Sequence, residues 1–121
     1  MRALKPNDTG APAAAATDVD KLIHEPARLG LVAQLYVLQE ADCLFLVNQT
    51  GLTWGNLGSH LGKLEQAGYV EVTKQFVARK PRTTVRLTAE GRAAFERYRE
   101  MMTRLLDQTP MAAGRAGTPQ S

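Results

Sequence analysis

The chain has 121 residues, 44% hydrophobic and 22% charged, which fits one globular domain able to bury a modest core without covalent staples. Fifteen Lys and Arg stand against 12 Asp and Glu, a net charge of +3, and the single cysteine, Cys43, excludes an intrachain disulfide and a cysteine-based zinc site. No apolar run has the length of a membrane span or the placement of a signal-peptide core, so a cytoplasmic protein is expected, with no membrane contact.

Residues 1–17 and 107–121 are rich in Ala, Pro and Gly without an apolar period, and read as a disordered arm and tail around a domain at 18–106. Asp18 is placed to cap a short helix carrying Val19, Leu22 and Ile23. Pro26 then suits the first turn of a helix from Ala27 to about Leu38. That helix carries Leu29, Leu31, Val32, Leu35, Tyr36, Val37 and Leu38 nearly all round, so it must be covered on several sides. Asp42 caps a helix over 43–50, Gly51 ends it in a left-handed turn, and Thr53 caps the next helix, 54–67. Two short helices joined by a tight glycine-containing turn form a helix-turn-helix pattern.

After Gly68 the period falls from about 3.6 to 2. Val70, Val72 and Phe76 alternate with Glu71, Thr73 and Gln75; Val85 and Leu87 alternate with Thr84 and Arg86. The two runs read as a hairpin with a basic tip at 77–83. Thr88 caps a last helix, with Glu90 in its first turn and Phe95, Tyr98, Met102 and Leu105 along one side. The fold class is mainly α with a small β-hairpin (α+β).

On helix 54–67, Leu57, Leu61 and Leu64 share a narrow arc that anchors the helix to a core. The opposite arc holds Gly55, Asn56, Ser59, Gly62, Lys63 and Gln66: small or hydrogen-bonding groups, one cation and no carboxylate. Asn and Gln match adenine edges, Ser and Lys match phosphate or guanine, and small residues let a backbone approach closely. Asn56 and Ser59, early in the helix, are the expected base-reading residues. His60, on the flank, reads either as a phosphate contact or as a half-buried satisfied histidine. Trp54 is expected to pack on the turn. The hairpin supplies Lys74, Arg79, Lys80, Arg82 and Arg86 with no acidic residue between 74 and 86, a cluster suited to phosphates or a minor groove.

The string LTWGNLGSHLGKLEQAGYVEV, with IHEPARLGLV upstream and RKPRTTVRLTAEGRAAFERY downstream, resembles bacterial winged-helix transcriptional regulators of the MarR/ArsR-like group over about residues 19–105. The resemblance implies a winged helix-turn-helix binding double-stranded DNA as a homodimer. It carries over Asn56, Ser59, His60 and Lys63 as recognition-helix positions and Arg79, Lys80 and Arg82 as wing positions; the reading of the residues adds Thr53 and Gln66 to the helix and Lys74 to the wing. The dimer contact is expected from Leu29, Val32, Phe95, Tyr98, Met102 and Leu105. The ligand clusters of metal-sensing relatives are absent, so no metal or other cofactor is implied. An enzyme is not expected, because His24, His60 and Cys43 form no traceable nucleophile–base–orienter set. The competing reading is a protein-interaction module that uses the same fold without DNA.

Overall fold

The computed structural model describes residues 19–112. The expected arm 1–17 lies outside them, as does Asp18, and so does the tail beyond residue 112. The described elements are α1 (Pro26–Leu38), β1 (Glu40–Asp42), α2 (Cys43–Thr50), α3 (Trp54–Gln66), β2 (Val70–Val77), β3 (Lys80–Leu87) and α4 (Ala89–Asp107). The winged helix-turn-helix arrangement holds, with one strand more than the sequence revealed.

No helix forms over Val19–Ile23. The Asp20 carboxylate instead accepts the amides of Leu22 and Ile23 at 3.0 and 3.2 Å, closing a turn. Glu25 stays extended because it precedes a proline, and its side chain caps α1 by accepting from the Arg28 amide at 2.8 Å. That bond holds the Glu25 carboxyl below the usual carboxylate range.

The core is aliphatic. Leu31, Val32, Leu35, Leu46, Leu57, Leu64 and Val85 are essentially inaccessible, and Val70, Leu87 and Phe95 close the cluster. Val37 at the end of α1 is 79% exposed, so the apolar helix is not covered on every side within one chain. β3 is the middle strand of a three-stranded antiparallel sheet ordered β1-β3-β2. Glu40–Asp42 pairs with Thr84–Arg86, a bridge that the sequence left unread.

Residues 20–98 form one compact unit. The last turns of α4, from Arg99, group separately. Within them Arg104 pairs with Glu100 one turn away, Met101, Met102 and Leu105 are half-buried, and Leu106 is 63% exposed.

The junction of α3, β2 and α4 is locked by backbone contacts. Gly68 takes φ +82°, a conformation open mainly to glycine. The Thr88 hydroxyl donates to the Gly68 carbonyl at 2.6 Å and accepts from the Gly91 amide at 2.9 Å, capping α4 and tying it to the end of α3. The Thr88 amide donates to Tyr69 O at 3.0 Å. The Tyr69 hydroxyl donates to Asp20 at 2.7 Å, and burial with that bond pushes its pKa up to about 12. A β-carbon at Gly91 would lie 2.1 Å from Tyr69 O and 2.9 Å from Leu87 Cδ1. Gly91→Ala is therefore expected to cost about 2 kcal/mol despite the better helix propensity of alanine. Urea unfolding checks this, and an unchanged midpoint would refute it.

Candidate nucleic-acid interface

The helix-turn-helix is built from local caps. The Asp42 carboxylate accepts the Leu44 amide at 3.0 Å, and Gly51 ends α2 at φ +74°. The Thr53 hydroxyl accepts the Asn56 amide at 3.0 Å and starts α3. Leu57, Leu61 and Leu64 are 1%, 5% and 0% exposed, so the leucine arc faces the core. Thr53, Gly55, Asn56, Gly58, Ser59, Gly62, Lys63 and Gln66 are all exposed.

His60 does not belong to that exposed set. Its side chain is 19% exposed; Arg28 Nη1 donates to its Nδ1 at 3.1 Å, and the Glu25 carboxylate lies 3.9 Å away. Arg28 also donates to the Leu22 carbonyl at 2.7 Å. His60 thus joins α3 to the start of α1, and the phosphate-contact alternative gives way to the half-buried one. Trp54, expected to pack, is 57% exposed. It borders an open groove of about 490 Å³ with Leu44, Val77, Lys80 and Pro81. A second groove, about 290 Å³, separates α3 at Gly58 and Gly62 from Val72, Lys74 and Thr83 of the hairpin.

The wing is a two-residue hairpin. Ala78 and Arg79 form the turn, at φ +51° and +68°, while Lys80, Pro81 and Arg82 lie in β3 rather than in a loop. Both turn residues sit in the left-handed region that such hairpins demand and that glycine or asparagine usually fills. The charge of the wing also differs from its sequence. Asp42 of β1 holds Arg82 at 3.4 Å, and Glu71 of β2 pairs with Arg86. Both acids lie outside residues 74–86, brought in by strand register. Lys74, Arg79 and Lys80 are exposed and, among the described residues, have no ion-pair partner.

Three of the six residues expected at a dimer contact serve the core of the single chain. Val32 is fully buried. Phe95 is 9% exposed and packs on the Tyr36 ring at 4.9 Å, with the Arg92 guanidinium over the same ring at 4.5 Å. Tyr98 is 8% exposed and shares a 2.7 Å hydrogen bond with His24. The first half of the apolar stripe on α4 is thus core of the single chain. Leu29, Met102 and Leu105 are half-buried.

Cys43 is buried, which with the neighbouring Asp42 charge pushes its thiol up and away from thiolate chemistry. Among the described residues no helix is long and apolar enough to cross a membrane.

A capped helix-turn-helix followed by a basic two-stranded wing defines a winged-helix DNA-binding fold. A family model for the winged helix DNA-binding domain matches residues 27–106. The chain belongs to that family, and its likeness to MarR/ArsR-type regulators holds. It is 36% identical over 78 residues to an uncharacterized protein of Methanocaldococcus jannaschii, a match covering 64% of this chain and 85% of that one. Its structure is similar to that of a transcriptional regulator homologue from Pyrococcus horikoshii, with a TM-score of 0.74 and 28% identity, over 78% of this chain and 95% of that one. It is also similar to the transcriptional repressor BigR of Xylella fastidiosa, with a TM-score of 0.56 and 27% identity, over 89% and 100% of the respective chains.

The fold itself does not require the α3 glycines. A β-carbon at Gly55, Gly58 or Gly62 would meet nothing within 4 Å. Gly58→Ala and Gly62→Ala are each expected to stabilise the protein by about 1 kcal/mol, raising the melting midpoint by roughly 4–8 °C apiece. Thermal unfolding followed by circular dichroism checks the sign.

Proposed function

We propose that this protein is a homodimeric transcriptional regulator that binds double-stranded DNA sequence-specifically. In this reading α3 lies in the major groove and the wing lies on the flanking backbone or minor groove. The observation that carries it is the exposed arc of α3 holding Asn56, Ser59, Lys63 and Gln66, with its one exposed carboxylate, Glu65, at the edge toward the wing, beside a wing whose Lys74, Arg79 and Lys80 have no ion-pair partner among the described residues. A polyanion supplies the missing counter-charge. Asn56 and Ser59 read base edges, Lys63 and Gln66 support them, and Thr53 lies beside the backbone at the helix start. Arg82 contributes less than its sequence position promised, since Asp42 already neutralises it.

Copies associate about a two-fold axis through α1 and α4, using Leu29, Met102 and Leu105 with the exposed Leu106. Half-sites then lie about 10–10.5 base pairs apart or a multiple of that. Sedimentation at micromolar concentration is expected to show a dimer; a monomer throughout would refute this arrangement.

Binding to duplexes enriched from genomic DNA is expected to weaken steeply with salt. Replacing Lys74, Arg79 and Lys80 by Ala should lower affinity for every sequence and flatten the log K–log salt slope by roughly 3 per protomer. Asn56→Ala should instead relax preference at one position by about 1–3 kcal/mol. The Gly58→Ala, Gly62→Ala pair should bind more weakly although it melts higher. Failure of the parent to bind any duplex at low salt would leave the protein-interaction module as the better account.

A further inference from the structure

We infer that Phe76 is a wedge that enters the minor groove next to the major groove occupied by α3 and partly unstacks one base step there. The inference rests on the DNA-binding reading above and adds to it a specificity element outside the recognition helix.

Phe76 is 76% exposed, on β2 two residues before the hairpin turn. By strand alternation it continues the row Val70, Val72, Lys74. The first of these is in the core, Val72 packs against it, and Val72 and Lys74 line the groove shared with Gly58 and Gly62 of α3. By alternation the ring leaves β2 on the side of Val72 and Lys74, beyond the end of their groove, while Val77 borders Trp54 of α3. Its cross-strand partner is Pro81, also exposed, which offers no amide hydrogen to a further strand. Phe76 adds little to the core at that exposure, and a large bare ring on a projecting hairpin invites aggregation unless a partner covers it.

The surroundings identify the partner. Lys74 lies two residues before Phe76 on the same face, Arg79 occupies the turn, and Lys80 begins the return strand. These are the three wing cations that form no ion pair among the described residues, although Glu65 borders the groove of Lys74 and Asp42 that of Lys80. An apolar ring framed by uncompensated cations matches a surface with phosphates on two rims and stackable bases between them. An apolar protein groove would answer the frame only where its rim happened to be acidic, whereas a duplex carries phosphates along both rims throughout.

The reach also fits. One turn of B-DNA rises about 34 Å, so the minor groove next to an occupied major groove lies roughly half that distance away, about 17 Å. Phe76 is four residues beyond Val72, about 13 Å at 3.3 Å per residue, and the turn adds roughly 7 Å more. The hairpin beyond Val72 is thus of the same order of length as that separation. Arg79 also holds a left-handed backbone that glycine would adopt without strain. Keeping a long cation there is understandable if the tip grips a phosphate while the ring enters the stack. Apolar wedges of this kind kink a duplex by about 20–90°. Pyrimidine–purine steps unstack most readily, so a TA or CA/TG step is expected at a fixed distance from the bases that α3 reads.

The test uses the full-length protein and duplexes it enriches from a random-sequence pool. Each duplex carries 2-aminopurine at successive flanking adenines and a fluorophore pair at its ends. The parent is expected to brighten 2-aminopurine at one step per half-site and to shorten the end-to-end distance. Phe76→Ala should abolish both signals and weaken binding roughly ten- to a hundredfold, while its melting curve stays that of the parent. Phe76→Leu, still an apolar wedge, should keep most of the bend. A parent that binds without brightening any step, or a Phe76→Ala variant that binds and bends like the parent, overturns the wedge and leaves DNA binding standing. A parent that binds no duplex overturns the proposed function itself.

Discussion

Where the first turn of α4 crosses the chain leaving α3, there is no room for even one methyl group. The Gly91 α-carbon rests against the Tyr69 carbonyl, and Thr88 bonds to both sides of the crossing. This contact matters because α3 and the hairpin are joined by only three residues, 67–69. The left-handed Gly68 turns the chain, and Tyr69 is held from both ends, by Thr88 through its carbonyl and by Asp20 through its hydroxyl. The angle between α3 and β2 is thereby set by backbone atoms rather than by adaptable side chains. A groove-reading helix and a phosphate-facing wing can act on one duplex only if that angle is fixed before binding, since ordering it afterwards would cost affinity.

Much of this was legible from the chain because it is written in local chemistry. Asp42, Gly51 and Thr53 punctuate the helix-turn-helix by capping rules that act within a few residues, and the three leucines of α3 repeat at helical spacing. What escaped depends on pairing across the sequence. β1 has three residues, too few for any period, and exists because β3 offers it an edge. The neutralisation of Arg82 by Asp42, 40 positions away, follows from that same strand and has no linear signature. Phe95 and Tyr98 were assigned to a second copy because the sequence gives the apolar stripe of α4 but not its partners, Tyr36 and His24. The turn at Asp20 replaced a helix because a carboxylate can satisfy backbone amides in either structure.

Local rules are broken in one region of the molecule above all. Three glycines lower the propensity of α3 without any steric need within the chain. Alanine and arginine occupy left-handed positions at the wing turn, at a cost of about 1–2 kcal/mol each. A phenylalanine stands in solvent beside them. Elsewhere Gln39, at the end of α1, is the other non-glycine residue at positive φ among the described residues, and the caps and the aliphatic core follow ordinary preferences. Inconsistencies gathered on two adjoining elements mark a surface shaped by something other than folding.

The charge distribution leads to the same surface by an independent route. A net charge of +3 is too small to draw the whole molecule to a polyanion with much force. Strand register, however, sorts the cations of the hairpin into two kinds. Arg82 and Arg86 are held by acids on the neighbouring strands and stiffen the sheet. Arg79 and Lys80 sit at the turn and Lys74 sits mid-strand opposite Thr83; none of the three has an ion-pair partner among the described residues. The turn itself, at Arg79 and Lys80, is left charged, while Arg86 at the base of the hairpin is paired. In the proposed reading, these unpaired cations set the orientation in which α3 would approach a duplex.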